Sequence, residues 1–195
     1  MASNHSIGGW RLRPEIIMAG LGLISGIASA TFGLEGGSPY LQRLQPLAIA
    51  FGLAPEQLAI GFYFGAIIAL SIYLWTGNLW SLPVLLVTTM YAWSAAIQVG
   101  IRLQRNSGED LYLIAASLAA GAVGAGITHL GCALFSPGLR RASRIALTCV
   151  VGALAGMLLY MSERKMIEMR WLFIVWQPVV AFCIGLGLPS QNRGD

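Results

Sequence analysis

Charge is what this sequence has least of. Of 195 residues only 10% are Asp, Glu, Lys or Arg, against about 25% in an ordinary soluble domain. None occurs in 16–34, 57–101, 111–139, 145–162 or 171–192. A soluble fold of this length would need polar surface along every element to cover its core, so the pattern excludes one. All eight acidic residues lie outside these windows. A paired-carboxylate hydrolase, or a proton pump built on buried acids, therefore has no material within them, and no enzyme is expected. Cysteine is equally sparse. Cys132, Cys149 and Cys183 sit in or beside apolar runs with no CxxC spacing, which reads as small buried hydrophobes rather than a disulfide or metal set. No metal and no cofactor is expected.

The chain is rich in apolar residues, at 56%. A helix needs roughly 20 of them to cross about 30 Å of hydrocarbon. The longest charge-free window holds two such lengths, joined by a turn at Thr76, Gly77 and Asn78. The expectation is an all-α integral membrane protein with six transmembrane helices, at 16–33, 58–75, 80–101, 111–135, 145–161 and 171–188. A membrane barrel would show alternating strands of about ten residues, and none is visible. Residues 1–15 and 189–195 read as polar tails around a single domain, 16–188. The first apolar segment is long enough to span and is read as the first crossing rather than a cleaved signal. Dense small residues (Gly20, Gly22, Gly26; Gly121, Gly124, Gly126) place the first and fourth spans centrally, with the Trp-bearing third and sixth more peripheral. Trp75, Trp80, Trp171 and Trp176 fall near span ends, as interfacial aromatics do.

Leu44–Pro55, LQPLAIAFGLAP, has no charge in twelve residues. It is too short to span and too apolar for a free loop, so a half-helix or interfacial segment packed on protein is expected.

The net charge of +4 comes from Arg and Lys in short loops beside lipid headgroups, so nucleic acid is not an expected partner. Six positive charges fall on each side of a six-span topology. The side bearing both termini carries two acids and the other side six, which tilts the assignment toward cytoplasmic termini in a bacterial inner (plasma) membrane.

The two halves echo one another. GIASATFGLEGGSPYLQR (26–43) and GAGITHLGCALFSPGLRR (124–141) share Gly, Gly, Ser-Pro, Leu and Arg at an offset of 98, and Gly65, Ala66 and Tyr73 recur as Gly152, Ala153 and Tyr160. Three spans per copy would invert the second half, giving inverted repeats 16–101 and 111–188, a transporter architecture with its site at the repeat interface. Chance similarity between Gly/Ala-rich helices is the competing explanation.

The stretch from Gly33 through Gly36-Gly37 to PLAIAFGLAP and Ala59-Ile60-Gly61 somewhat resembles the sulfite and sulfonate exporters of the TauE/SafE type, which contain inverted repeats with a glycine-rich helix end. The resemblance covers about thirty residues. The chain departs from it in Ser38-Pro39, in a longer spacing to Pro46 and in its short length.

Candidate pathway residues are the polar side chains in or at the ends of spans. His129 is the only histidine in a span, and its repeat counterpart is Thr31. Ser38 and Ser136 precede prolines at helix ends, where freed carbonyls can face a solute. Glu35 borders Gly36-Gly37, and Gln98 and Gln177 lie deepest in the third and sixth spans. Each has a plainer reading, as a hydrogen-bonded core group, a helix terminator or a solvated acid. Gly22, Gly26, Gly33, Gly124, Gly126 and Gly131 are expected at helix contacts, and Arg140, Arg141 and Arg144 at a cytoplasmic protein partner. The function expected is a small channel or transporter for a small solute or ion, oligomeric because six short helices barely enclose a path. The alternative is a non-transporting subunit of a membrane complex.

Overall fold

In the computed structural model, residues 13–33, 43, 45–52, 55–104 and 110–189 are described. Among them every regular element is helical. The first helix, α1 (Pro14–Ala28), starts where Pro14 fills the first-turn position that needs no N–H, with Glu15 in that turn paired to Arg13 at 2.7 Å. It runs into a π-helical turn, Ser29–Gly33. Then follow α2 (Gln45–Ala50), α3 (Pro55–Thr76), α4 (Ser81–Gln104), α5 (Asp110–Ala133), a 3₁₀ turn (Pro137–Arg140), α6 (Ala142–Glu163) and α7 (Arg170–Gly185).

Five helices are long and apolar enough to cross a membrane: Pro14–Phe32, Gln57–Thr76, Ser81–Gln104, Asp110–Ala133 and Ala142–Glu163. The sixth expected span is shorter. Helix α7 has 16 residues, about 24 Å at 1.5 Å per residue, and ends at Gly185 where an added Cβ would collide with the backbone of Glu15. The chain turns there, through Leu186–Leu188.

The long helices form a ring. Their principal packing order is α1, α7, α6, α5, α4, α3 and back to α1. Two contacts are made backbone to backbone. At the first, Gly22 lies against Pro178 and Ala181, and Gly26 against Phe173 and Ile174, so α1 rests on α7 with no side chain between them. At the second, Gly121 and Gly156 face one another, and Gly152 faces Ala125, between α5 and α6. Lipid gives apolar side chains no reason to prefer each other over acyl tails, so helices associate where small residues allow such approach.

The fourth span is well buried, as expected, but the ring corrects the expected places of the first and sixth. α1 keeps only Pro14, Glu15, Met18, Gly22, Ser25 and Gly26 buried within its α-helical part, whereas α7 buries Leu172, Phe173, Trp176, Gln177, Val180 and Ala181 among others. A stripe of glycines marks one close neighbour, not a central place. Trp176 is likewise no interfacial anchor; it is buried and stacks edge-on to Phe64 at 5.5 Å between ring centres. Trp80 and Trp171 are exposed.

Two connections match expectation. At 77–80, Gly77 takes φ +67, and Asn78 Oδ1 accepts from the Trp80 N–H at 3.0 Å. The six residues of α2, about 9 Å long, do not cross. Ala48 is buried with Leu58 and Met90, and Phe51 packs beside them. Ser94 donates to the Phe51 carbonyl, and Gln98 Nε2 to that of Gly52 at 3.3 Å. This fastens α2 to α4, while Ile49 stays exposed.

The glycine contacts give a paired prediction. A Cβ at Gly156 would meet the Ser117 carbonyl and Gly121 Cα, neither of which can step aside, whereas a Cβ at Gly20 meets nothing within 4 Å. Gly156→Ala should cost about 1–3 kcal/mol, the usual range for overpacking, and Gly20→Ala less than about 0.5 kcal/mol. Thermal unfolding of both variants in one detergent checks this.

Candidate functional site

The ring interior is filled at one end and open at the other. The filled end lies on the side of Pro14, 77–80 and the 3₁₀ turn, and is packed with Met18, Ile68, Ile72, Leu85, Cys132, Leu139, Val180 and Ile184. Toward the ends of α4 and α6 at Gln104 and Glu163 a cavity of about 310 Å³ penetrates the bundle, at the lower end of the range for small-molecule pockets. Its mouth carries Gln57, Gln104 and Glu163; its walls include Ile97, Gly100, Ala116, Ser117, Ala120 and Leu159; its deepest part is aromatic, with Trp93, Phe173 and Trp176. Trp93 and Phe173 meet at 5.7 Å and 62°. Edge-on ring pairs of this kind contribute about 0.5–1.5 kcal/mol beyond their buried area.

Two side chains of lining residues hold a buried hydrogen-bonding atom that lacks a protein partner and is not open to the cavity. Ser117 is fully buried, and neither its Oγ nor Trp93 Nε1 has a protein partner. For Ser117 this is unusual in this fold. Thr31, Ser71, Thr76 and Thr128 all donate to the carbonyl four residues back, at 2.7–2.9 Å. A buried polar group left unpaired costs about 1–3 kcal/mol. Beyond Trp93 and Trp176 a residual void of about 10 Å³ touches Thr89, whose Oγ1 is also unpaired. It is too small for more than one water.

The polar residues singled out in the sequence divide into separate devices. Gln177 is 2% exposed and bridges α7 to α1: Ser25 Oγ donates to its Oε1 at 2.6 Å, and its Nε2 donates to Ser29 Oγ at 2.9 Å. Ser29 opens the π-helical turn, and the neighbouring Pro178 removes one backbone donor from α7. Both irregular stretches therefore meet at this bridge. His129, fully buried, belongs to the opposite corner. Its Nε2 lies 3.0 Å from the Leu139 carbonyl and its Nδ1 2.7 Å from Thr148 Oγ1. The carbonyl can only accept, so Nε2 carries a proton; a neutral ring then accepts at Nδ1 from the Thr148 hydroxyl. Thus satisfied, His129 ties α5, the 3₁₀ turn and α6 together and does not line the cavity.

Thr31 is exposed and bonds only to its own helix. Gln98 holds α2. Ser136 is buried at the start of the 3₁₀ turn, with no side-chain capping bond. Glu35 and Ser38 lie outside the described residues, and Gly33 ends the π-helical turn. Of the remaining packing glycines, Gly124 faces Trp176, Gly126 faces Cys149 Sγ and Gly131 faces Thr88. Two of the three arginines assigned to a partner are engaged within the chain. Arg140 donates to the carbonyls of Ala133 and Leu134, and Arg144 to that of Gly138 at 2.6 Å, the usual service of a cation at a helix C-terminus. Arg141 is exposed.

The cavity residues were missed. Ser117, Trp93 and Ala120 sit in runs of Ala, Ser and Leu that read as generic span, and only the facing of five elements makes them a site. The Gly121–Gly156 contact was half visible, through the glycines of the fourth span.

No family model matches the chain, and no curated protein or solved structure is significantly similar to it. The exporter resemblance therefore rests on its thirty residues alone.

Because both buried polar devices are fully bonded, His129→Ala and Gln177→Ala should each lower stability by about 1–3 kcal/mol through orphaned partners. Gln98→Ala, whose bond is long and exposed, should stay under about 1 kcal/mol. Denaturant titration of the purified variants decides; wild-type stability in His129→Ala would return His129 to the pathway candidates.

Proposed function

We propose that this chain is a six-crossing transporter for a small, largely apolar solute, held here in a state open to one membrane face. The observation that carries the reading is the cavity inside the ring, open at one end and sealed at the other by aromatic and aliphatic packing. In this reading α7 crosses despite its length, because it lies antiparallel between α1 and α6 and the three residues after it extend the apolar segment. Cytoplasmic termini, in an inner (plasma) membrane, follow from the acidic excess at the other end; the cavity then opens away from the cytoplasm.

The inverted repeat, read from the echo between 26–43 and 124–141, belongs to this reading. Exchanging the halves maps α1 onto α5, α3 onto α6 and α4 onto α7. Under that exchange the extensive α1–α7 contact becomes the equally extensive α5–α4 contact, whereas the slight α1–α3 contact becomes the extensive α5–α6 contact. The repeat interface then falls at the cavity wall and at the Gln177 bridge, where transporters place their sites. An ion is the less suitable cargo, since the deep walls bear no charge and offer no carbonyl cluster among the described residues. The reading as a non-transporting subunit loses two of its three contact arginines to helix capping. Formation of a homo-oligomer, through lipid-facing α6 for example, is compatible with either role.

Transport requires a second state in which the seal parts. In a background without native cysteines, Ala120→Cys should react with a membrane-impermeant thiol reagent only from the face of Gln104 and Glu163. Thr89→Cys, beyond the seal, should react slowly from the face of Gly77 and Asn78. Complete protection of Thr89→Cys from that face, over hours, would favour the static subunit over the transporter.

A further inference from the structure

We infer that Trp176, backed by Trp93, is the gate between the cavity and the sealed half of the ring. This rests on reading the ring interior as a solute path and names the side chain that divides it.

The two spaces inside the ring share a wall. The cavity of about 310 Å³ and the void of about 10 Å³ are both lined by Ile60, Trp93 and Trp176. Gln57, Gln104 and Glu163 line only the first, and Phe64, Thr89 and Thr128 only the second. The helix register agrees. Gly124 lies against Ala96 and Gly100 against Ala120, so Trp93 of α4 stands level with Ile127 of α5, and Thr89 level with Gly131. Thr89 is therefore four residues beyond Trp93 toward the filled end, roughly 6 Å at 1.5 Å per residue. A solute entering past Gln104 reaches the two indoles before it reaches Thr89 and the aliphatic packing behind it.

The partition is a layer of rings seated on glycine. Trp176 meets Phe64 edge-on with 5.5 Å between ring centres, and Trp93 meets Phe173 in the same way at 5.7 Å. Helices α3, α4 and α7 thus each put an aromatic side chain into one layer. From the fourth side α5 presents Gly124. A Cβ there would lie 3.3 Å from the Trp176 ring, and one at Gly61 would lie 3.3 Å from Trp93 Cβ. The Trp176 indole rests on bare backbone at a point where a side chain would interlock with it.

The same surroundings let the ring move while its helix stays. No hydrogen bond among the described residues ties the Trp176 indole. The next residue, Gln177, is bonded to Ser25 and Ser29 of the α1 side, which fixes the α7 backbone. An aromatic side chain on a helix has two common χ1 rotamers. Of the two spaces that Trp176 borders, the cavity has room to receive the ring and the void has not. The ring in place closes the path; the ring turned into the cavity opens it as far as Thr89.

The test uses the full chain in oriented membrane vesicles, in the background without native cysteines. The probe is the impermeant reagent trimethylammonioethyl methanethiosulfonate, added at the face of Gln104 and Glu163. With Trp176 intact, Thr89→Cys should be nearly unmodified from that face. A gate whose open state is populated about 10% or less predicts that Trp176→Ala raises the rate there at least about tenfold. Trp176→Phe should give a smaller rise in the same direction, and it carries the test if Trp176→Ala does not fold. Leu159→Ala, which widens the outer cavity away from the partition, should give none. Ala120→Cys, on the outer side, should react as in the parent throughout, which shows that each variant is folded. No rise in the folded Trp176 variants, or an equal rise in Leu159→Ala, would overturn the inference. A rise in Trp176→Ala, with Thr89→Cys wholly protected from the Gly77 face while Trp176 is intact, would keep the partition and remove transport. Slow reaction from the Gly77 face, with no rise in Trp176→Ala, would keep transport and remove the gate.

Discussion

The structure depends on backbone contact between glycines. In lipid the usual reward for burying apolar side chains is missing, and van der Waals approach, helped by a few hydrogen bonds, must hold the helices. Here that approach is concentrated at two crossings, α1 on α7 through Gly22 and Gly26, and α5 on α6 through Gly121, Gly152 and Gly156. The first closes the ring by joining the beginning of the chain to its end. The second pulls α6 tightly against α5 and leaves most of its other face outward, with Leu147, Val150 and Leu154 exposed. Gln177 and His129 add one polar fastening apiece beside these crossings, each bonded at both ends. In a low-dielectric interior such fully paired groups specify one register, whereas half-paired ones would cost stability.

The cavity follows from the same arrangement. Glycines and alanines on the inner faces of α4 and α5 (Ala96, Gly100, Ala116, Ala120, Gly121) leave room that no neighbouring side chain fills, and the aromatic residues of α4 and α7 floor it. Small residues thus act in two ways. Where two stripes face each other they bring backbones together, and where a stripe faces the ring axis it leaves space. The walls of that space carry the functional account, because they are largely apolar and end on Trp93, Phe173 and Trp176.

Much of the fold was legible in the sequence and little of the site was. Charge-free windows located each long helix to within a few residues, because excluding ionised groups from hydrocarbon is a strong, one-dimensional constraint. The Gly77 turn and the non-crossing α2 were legible for the same reason, being too polar in one case and too short in the other. Place within the ring was not legible. Glycines in α1 report how close a neighbour comes but not how many neighbours there are, and Trp176 looked interfacial by its position near a span end when it is in fact core. The end of α7 at Gly185 depends on Glu15, far away in sequence. His129 and Gln177 stood out because polar groups in apolar runs always do, yet their roles turn on partners 10 to 152 residues distant.

Closure of the ring between the first and last long helices is the central claim, and a designed disulfide tests it most directly. A Cβ at Gly22 would lie 2.9 Å from Ala181 Cβ, and a disulfide needs about 3.8 Å between such atoms, a separation reached by a shift of less than about 1 Å. In a background free of Cys132, Cys149 and Cys183, the pair Gly22→Cys with Ala181→Cys should oxidise readily in native membranes. The pair Gly20→Cys with Ala181→Cys should stay reduced, because Gly20 faces away from α7. Equal oxidation of both pairs, or of neither, would contradict the ring.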